Sequence, residues 1–447
     1  RRVADRDRFA AAARTITEFL AASYEAPRPP GARAPGPVPP SGRGADASWQ
    51  PAPWLPPGAF VLDQEPLPRL LLGFEAQGVD ERKLPLVAYG DMLFDSPELF
   101  GEPARSLGIA CSSCHNRGEA NRQLFIPGLS RRAGGVDVDS AFFNAIANDH
   151  IFDPVDTPSL RGIRYTAPYG RDGRIASLRE FVATVIVTEF GGPEPTPFML
   201  DALVAYLNQF EFLPAPYLDR DGRLNDTASA AAKRGEALFH RPFAQMGDRS
   251  CASCHVPSAL FLDGKRHDIG SGGDSRTFPG ALFDTPTLLG AAHTAPYFHD
   301  GSLATLADVV AWFDARFGLG LGDGEKNDLA AYLEAIGTAE EPYQEFAGKS
   351  TRFRLDFQEN SVFASALDAL IPRRDRFHAL LLIRSVAGDL RLDASAITDV
   401  RLQPRVYELA ERLERVGAAI RDERWDDAAR EWSAYKAIEK SYEDELY

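Results

Sequence analysis

The sequence predicts a mostly α-helical fold made of two homologous units, with a helical extension at each end. Three observations lead to this prediction. The pattern C-x-x-C-H occurs twice, at residues 111–115 and 251–255. A segment at 157–182 recurs at 285–310 without gaps, and half of its positions are identical. Segments at both ends of the chain place apolar side chains at the spacing of an amphipathic helix.

Length and composition indicate a globular chain with an acidic surface. Its 447 residues exceed what one hydrophobic core usually organises, so about two or three domains are expected. The net charge of -15 disfavours nucleic acid or an anionic membrane surface as the main partner. No apolar run approaches the roughly 20 residues that a membrane-spanning helix needs. No signal peptide is visible, although a removed leader would leave the same sequence.

The four cysteines of the chain all lie in the two motifs, as Cys111, Cys114, Cys251 and Cys254. Disulfides, a four-thiolate zinc site or a redox dithiol would each explain the C-x-x-C spacing. None of them requires a histidine directly after both pairs, whereas C-x-x-C-H marks the attachment of c-type haem. Two thiols then bond to one porphyrin, and the histidine is the proximal iron ligand. We therefore expect two covalent haems, with His115 and His255 below the irons.

The repeat extends beyond the motifs and defines the domain organisation. Each copy ends in a capping-box pattern, Ser177-x-x-Glu180 and Thr305-x-x-Asp308, which predicts a helix start. Similar segments, "VAYGDMLFD" and "AKRGEALFH", precede the two motifs. The predicted organisation is an N-terminal helix and Pro/Gly-rich linker at 1–81, a first cytochrome c-like haem domain at 82–215, a second at 216–340, and a helical C-terminal extension at 341–447. The terminal helices are expected to pack on the haem core or on a partner. Because haem is attached outside the cytoplasm, the protein is expected to be periplasmic or exported.

Two C-x-x-C-H domains, each followed by "TPxL…PY…DG…(S/T)L", resemble the bacterial dihaem cytochrome c peroxidase and MauG family. The resemblance covers roughly residues 82–340. It implies that the first haem reacts with hydrogen peroxide and that the second stores or relays electrons. It also implies a protein partner, either a small cytochrome that donates electrons or a protein whose side chain is oxidised.

The resemblance assigns roles to residues outside the motifs. Glu189, in "VTEFGG", would be the distal glutamate that moves a proton between the peroxide oxygens; otherwise it is a solvent-exposed glutamate at a helix end. His267, in "GKRHDIG", is expected beside the second haem without binding iron, and His299 at the domain interface. The backbone carbonyls of Thr294 and Pro296 match two ligands of a calcium ion between the haems.

Two departures from the family pattern concern the distal sides of the irons. Residues 116–135 contain neither His nor Met, which implies a permanently open first iron. Phe313 stands where the family has the sixth ligand of the second iron, and phenylalanine cannot bind iron. His293 is the favoured replacement unless its ring bonds to a carbonyl or a propionate, and Met246 and Tyr297 are weaker candidates.

A third departure concerns electron transfer between the haems. Arg171 stands where the family has a tryptophan, directly before the first "DG". Tyr165 and Tyr169 are close enough in sequence to substitute for it. Two functions follow: a peroxidase-type oxidoreductase, or a dihaem electron-transfer subunit that has lost the chemistry and docks into a larger complex through its C-terminal helices.

Overall fold

The computed structural model describes residues 55–60, 73–272, 282–337, 352–397 and 400–442. All of them belong to one compact unit, Ala52–Tyr447. The helix predicted near the N-terminus and the Pro/Gly-rich linker after it lie outside the described residues.

Helices dominate the described residues, which agrees with the mostly α-helical prediction. The α-helices are α1 (Gly73–Ala76), α2 (Pro85–Asp95), α3 (Cys111–Cys114), α4 (Leu178–Thr184), α5 (Pro197–Leu207), α6 (Ala230–Phe239), α7 (Leu306–Phe317), α8 (Asp323–Gly337), α9 (Arg352–Ser365), α10 (Leu367–Leu370), α11 (Arg376–Ala396), α12 (Gln403–Arg421) and α13 (Trp425–Ser441). A π-helix, Val185–Glu189, continues α4. Short 3-10 helices are Glu81–Lys83, Pro97–Leu99, Asn116–Gly118, Ile163–Tyr165, Ala244–Met246, Cys251–Ser253, Pro257–Ala259 and Ala291–His293. Within the described ranges, no helix has both the length and the apolar character needed to cross a bilayer.

Both helix starts predicted from the repeat are confirmed. Ser177 precedes α4, and its hydroxyl accepts a hydrogen bond from the backbone N–H of Glu180. Thr305 precedes α7 in a complete capping box, in which Asp308 also accepts from the Thr305 backbone N–H. These bonds satisfy N–H groups that the first turn of a helix leaves without a partner.

Each repeat also contains one short antiparallel strand pair, placed directly before its TPxL segment. Strand β1 (Gly135–Val136) pairs with β2 (Val155–Asp156), so that Gly135 lies opposite Asp156. Strand β3 (Arg266–His267) pairs with β4 (Phe283–Asp284), so that Arg266 lies opposite Asp284. The two copies therefore share more structure than their sequence identity shows.

The same helix crossing occurs in both repeats. Helix α2 packs on α5 in the first repeat, and α6 packs on α8 in the second. A Cβ added at Gly90 would lie 2.0 Å from the carbonyl oxygen of Ala202, and one added at Gly235 would lie 1.9 Å from that of Asp328. Only glycine permits such close contact between the backbones, so the glycine shared by the two preceding segments fixes this crossing.

The hydrophobic core of the first repeat continues into the C-terminal helices, whereas the second repeat has its own core. Buried residues of the second core include Phe239, Phe261, Leu306 and Tyr332. The first core joins α2 and α5 to side chains of α11, α12 and α13, among them Leu382, Leu409 and Trp432. The C-terminal extension therefore packs on the first repeat.

His378, in α11, connects the C-terminal helices to the first repeat through polar contacts. Its Nε2 lies 2.7 Å from the hydroxyl of Thr196, and its Nδ1 lies 2.7 Å from a carboxylate oxygen of Asp375. Its backbone carbonyl accepts a hydrogen bond from the hydroxyl of Tyr89. Because His378 is buried, these bonds hold the extension in one orientation.

Candidate haem sites

The first motif places two thiols one helical turn apart, next to His115. Cys111–Cys114 forms α3, and the Ser113 hydroxyl accepts from the backbone N–H of Ala110 at the start of the turn. The Nδ1 atom of His115 lies 3.0 Å from the carbonyl oxygen of Pro158. Since a carbonyl can only accept, Nδ1 carries the proton and Nε2 is left to bind a metal.

The second motif repeats this arrangement. The Nδ1 atom of His255 lies 3.3 Å from the carbonyl oxygen of Phe261. The carbonyl of Pro286 is near enough to this imidazole to raise its pKa slightly against the effect of burial. Pro158 and Pro286 occupy the same position in the two copies of the repeat. A backbone carbonyl therefore orients the imidazole of each motif, that of Pro158 in the first and that of Phe261 in the second.

Burial favours the neutral forms of these histidines and cysteines. Crowding by protein atoms lowers the pKa of the half-buried His115 to about 4, and burial also lowers the pKa of His255. Burial raises the pKa of Cys111 and Cys114 to about 12. Neutral imidazole is the form that binds iron, so protons do not compete for this position near neutral pH.

The residues of both motifs fit a covalently bound haem better than the alternatives. All four cysteines are described, and all are free thiols. Among the described residues, no cluster of metal-ligand atoms contains two of them, which weighs against a four-thiolate zinc site. Paired thiols next to an imidazole with a protonated Nδ1 are the groups that haem c attachment uses.

Glu189 is the last residue of the π-helix that continues α4. Its side chain is 14% exposed, and an oxygen accepts from the guanidinium of Arg174 at 3.1 Å. Burial raises the pKa of Glu189. The charge of Arg174 lowers this pKa, and the nearby carboxylate of Asp139 raises it further. The structure thus shows a largely buried, ion-paired carboxylate on a π-helical turn, a feature often found at functional sites. Its catalytic role stays a prediction.

The corresponding helix of the second repeat ends in aromatic residues. Helix α7 is as long as α4 and its π-helical continuation together, so Phe317 takes the position of Glu189. Phe313 lies among other rings, with its centroid 6.0 Å from that of Phe317 and 6.3 Å from that of Phe298. The two repeats therefore differ at this helix, because it ends with an ionisable side chain only in the first repeat.

The candidates for a sixth ligand of the second iron have different surroundings. His293 ends a 3-10 helix, and its carbonyl accepts a hydrogen bond from Arg122 of the first repeat. The hydroxyl of Tyr297 donates to the carbonyl of Ala291 at 2.7 Å, and burial raises its pKa to about 12. Both effects disfavour Tyr297 as a phenolate ligand. Met246 lies on a separate 3-10 helix, and the identity of the ligand stays a prediction.

His267 lies on β3 next to the second motif. Its Nε2 is 2.7 Å from a carboxylate oxygen of Asp263. Ligand atoms of Cys254, Asp263 and His267 lie within 4.8 Å of one another. Since Cys254 is expected to bond to the porphyrin, this cluster is not a separate metal site, and the place of His267 beside the second haem stays a prediction.

His299 and Arg171 occupy equivalent repeat positions, and both lie where the two repeats meet. The backbone N–H of Asp156 donates to the carbonyl of His299, and that of Asp284 donates to the carbonyl of Arg171. The guanidinium of Arg171 also lies 3.2 Å from a carboxylate oxygen of Asp156. The ring of His299 stacks on Phe283. A charged, non-oxidisable side chain therefore lies at the contact between the repeats.

The calcium ion expected at the carbonyls of Thr294 and Pro296 receives no support. Arg122 donates to the carbonyl of His293, which places a positive charge one residue away from Thr294. Calcium prefers six to eight oxygen ligands, and two carbonyls are too few to define a site.

Two groups at these sites were missed in the sequence. The Pro158 carbonyl, the partner of His115, could have been found, because the TPxL segment recurs at the same distance from the other repeat elements. Arg174, the partner of Glu189, lies 15 residues before it, and no spacing rule indicates that pairing.

Comparisons with known proteins identify the family. A family model described as di-haem cytochrome c peroxidase matches residues 229–356. Cytochrome-c peroxidase IdrP2 of Denitromonas iodatirespirans is 43% identical over 331 residues, covering 59% of this chain and 85% of that protein. Hydrazine synthase subunit gamma of Kuenenia stuttgartiensis is 28% identical over 279 residues, which cover 51% of this chain and 69% of that protein. Methylamine utilization protein MauG of Methylorubrum extorquens is 27% identical over 303 residues, which cover 56% of this chain and 77% of that protein. The chain belongs to the dihaem cytochrome c peroxidase and MauG family.

Proposed function

We propose that the chain is a peroxidase-type oxidoreductase that reduces hydrogen peroxide, or uses it to oxidise a partner protein, at an open haem in the first repeat. The second haem relays electrons between this site and a small cytochrome or other redox protein. Family membership implies haem c, and the residues that hold it are Cys111, Cys114 and His115 for the first haem, and Cys251, Cys254 and His255 for the second.

The observation that carries this proposal is the largely buried carboxylate of Glu189, paired with Arg174 in the first repeat. When bound, haem c supplies the redox chemistry that reduces the oxygen–oxygen bond. Glu189 takes a proton from one peroxide oxygen and returns it to the other, and burial suits it to this work because its pKa is raised. Arg174 holds the carboxylate in place. Phe317, at the equivalent position of the second repeat, cannot move protons.

The test is peroxide turnover by Glu189→Gln in the holoprotein, with the absorption spectrum showing that both haems are retained. We expect kcat/KM for hydrogen peroxide to fall by about 10²–10⁴-fold, since glutamine is nearly isosteric but cannot accept the proton. The matched control is Glu180→Gln, an exposed glutamate on the same helix, which should leave turnover unchanged. Wild-type turnover in Glu189→Gln would remove this residue from the mechanism.

A dihaem electron-transfer subunit of a larger complex is the second candidate. The likeness to hydrazine synthase subunit gamma favours it, since that protein is named as part of an assembly. The substitutions at Arg171 and Phe313 point the same way. Electron paramagnetic resonance of the resting ferric protein separates the two functions. A high-spin signal that responds to peroxide supports the peroxidase, and two low-spin irons inert to peroxide support the carrier.

We also propose a periplasmic or exported location, because C-x-x-C-H haem attachment takes place outside the cytoplasm. Docking to further subunits through the C-terminal helices stays part of the second candidate. It would use their outward faces, since their inner faces pack on the first repeat.

A further inference from the structure

Aspartates converge in the loop between β1 and β2 of the first repeat. One carboxylate oxygen from each of Asp137, Asp139 and Asp153 lies within 4.8 Å of the others. We propose that these three carboxylates form a calcium-binding site, separate from the carbonyls of Thr294 and Pro296 in the second repeat.

The spacing of the oxygens suits one ion. Calcium binds oxygen ligands at about 2.3–2.6 Å, so two ligands on opposite sides of the ion lie roughly 4.8 Å apart. One calcium ion can therefore contact all three carboxylates. Backbone carbonyls and water would complete the six to eight ligands that calcium prefers.

The carboxylate of Asp137 is buried and has an oxygen without a hydrogen-bond partner among the described residues. Asp137 is only 5% exposed, and this oxygen is its Oδ1. Its backbone N–H is bonded to the carbonyl of Leu129 at 2.8 Å, which fixes the residue in the loop. A buried carboxylate is costly unless a cation, a hydrogen-bond donor or a proton compensates its charge.

The three carboxylates lie close together, and no positively charged side chain among the described residues is paired with Asp137. Asp139 likewise forms no ion pair with a lysine or arginine in the described ranges. A divalent cation would remove the repulsion between these carboxylates.

The ligand set selects calcium over other metals. It contains only carboxylate oxygens, whereas zinc prefers nitrogen and sulfur ligands. Magnesium is usually bound through one or two carboxylates and keeps most of its water, so three converging carboxylates favour calcium.

The loop that carries the cluster also supports the end of the π-helix. The side-chain amide of Asn144 donates to the carbonyl of Thr188 at 2.5 Å. The ring of Phe143 packs against Phe190, with centroids 4.9 Å apart. Calcium bound in this loop would therefore fix the segment that holds Glu189 in position.

The test is calcium titration by calorimetry on holoprotein stripped with a chelator, for the wild type and Asp137→Asn. Asparagine keeps the shape and removes one charge. We expect the variant to bind calcium at least tenfold more weakly, and its melting temperature without calcium to be no lower than that of the wild type. Asp226→Asn, at a fully exposed carboxylate in the second repeat, should bind calcium like the wild type.

Other results would overturn the proposal. These are no calcium binding by the wild type, equal binding by the wild type and Asp137→Asn, or tighter binding of magnesium than of calcium. A calcium ion held elsewhere would persist in Asp137→Asn, so the loss of one binding event identifies this site. If Asp137→Asn does not fold, Asp139→Asn gives the same readout. None of these outcomes depends on peroxide turnover, so the site and the proposed function are tested separately.

Discussion

The backbone N–H of Asp156 donates a hydrogen bond to the carbonyl of His299, at 2.8 Å, across the contact between the two repeats. Its repeat counterpart, Asp284, donates to Arg171, the counterpart of His299, at 3.1 Å. Reciprocal contacts of this kind are those of an isologous interface, in which the same surface of two copies meets itself. The two repeats therefore contact each other as a pseudo-symmetric pair, with Arg171 and His299 at equivalent places.

This contact predicts that Gly301 tolerates no larger side chain. A Cβ at Gly301 would lie 2.8 Å from a ring carbon of Pro296 and 3.3 Å from a carboxylate oxygen of Asp156. Gly320 has a similar left-handed backbone, but open space surrounds it, so Gly320→Val serves as the matched control. We expect Gly301→Val to lower the free energy of unfolding by about 1–3 kcal/mol more than the control, because only Gly301→Val overpacks the contact. Equal losses in urea denaturation would show that Gly301 is not tightly packed against Pro296 and Asp156.

The ion pair between Arg171 and Asp156 predicts strong energetic coupling. Both side chains are largely buried, at 26% and 10% exposure. Arg171→Met leaves the carboxylate without its cation and should lower the free energy of unfolding by about 3–5 kcal/mol. Adding Asp156→Asn removes the carboxylate charge that Arg171→Met leaves unpaired, so the double variant should recover part of the lost free energy of unfolding. A double-mutant cycle by denaturation measures the coupling, and additive losses would show that the pair is not coupled.

The parts of the site that lie in contiguous motifs could be predicted from the sequence. His115 and His255 follow their cysteines directly, and the starts of α4 and α7 follow capping residues three positions before an acidic partner. Local geometry determines such features, because the bonds involved join residues within one helical turn. The repeat itself was visible because two copies of one unit keep the same chemistry at the same spacing.

Contacts between distant segments could not be predicted in this way. His378 meets Thr196 across 182 residues, and no local period indicates which helix packs on which repeat. The sequence left open whether the C-terminal helices cover the haem core or a partner. The cluster around Asp137 was likewise invisible, since Asp137 and Asp153 are separated by a loop whose path depends on tertiary packing.

The buried position of His378 predicts that it holds the C-terminal helices on the first repeat. His378→Leu removes the bonds to Thr196 and Asp375, and leaves two half-buried polar groups without their partner. We expect a loss of about 2–3 kcal/mol in the free energy of unfolding. Hydrogen exchange should localise the loosening to α11. His240→Leu, at a half-buried histidine of the second repeat, is the control and should not change exchange in α11. Unchanged protection of α11 in His378→Leu would contradict this role.

The environment of Glu189 predicts the pH dependence of peroxide turnover. A carboxylate must be ionised to accept a proton, so kcat/KM should rise with pH through the pKa of Glu189. Burial raises this pKa above the ordinary value of 4.5, and the charge of Arg174 lowers it again. Removing that charge in Arg174→Met favours the protonated form, so the acid limb of the profile should move to higher pH.

Arg179→Met is the control for this shift, because Arg179 pairs with the exposed Asp201 on the neighbouring helix and does not contact Glu189. Its pH profile should match that of the wild type. The same limb should be absent from whatever turnover Glu189→Gln retains, since that variant has no carboxylate to titrate. An acid limb at the same pH in the wild type and Arg174→Met, or one that persists in Glu189→Gln, would assign the titration to a different group and leave Glu189 without a role in proton transfer.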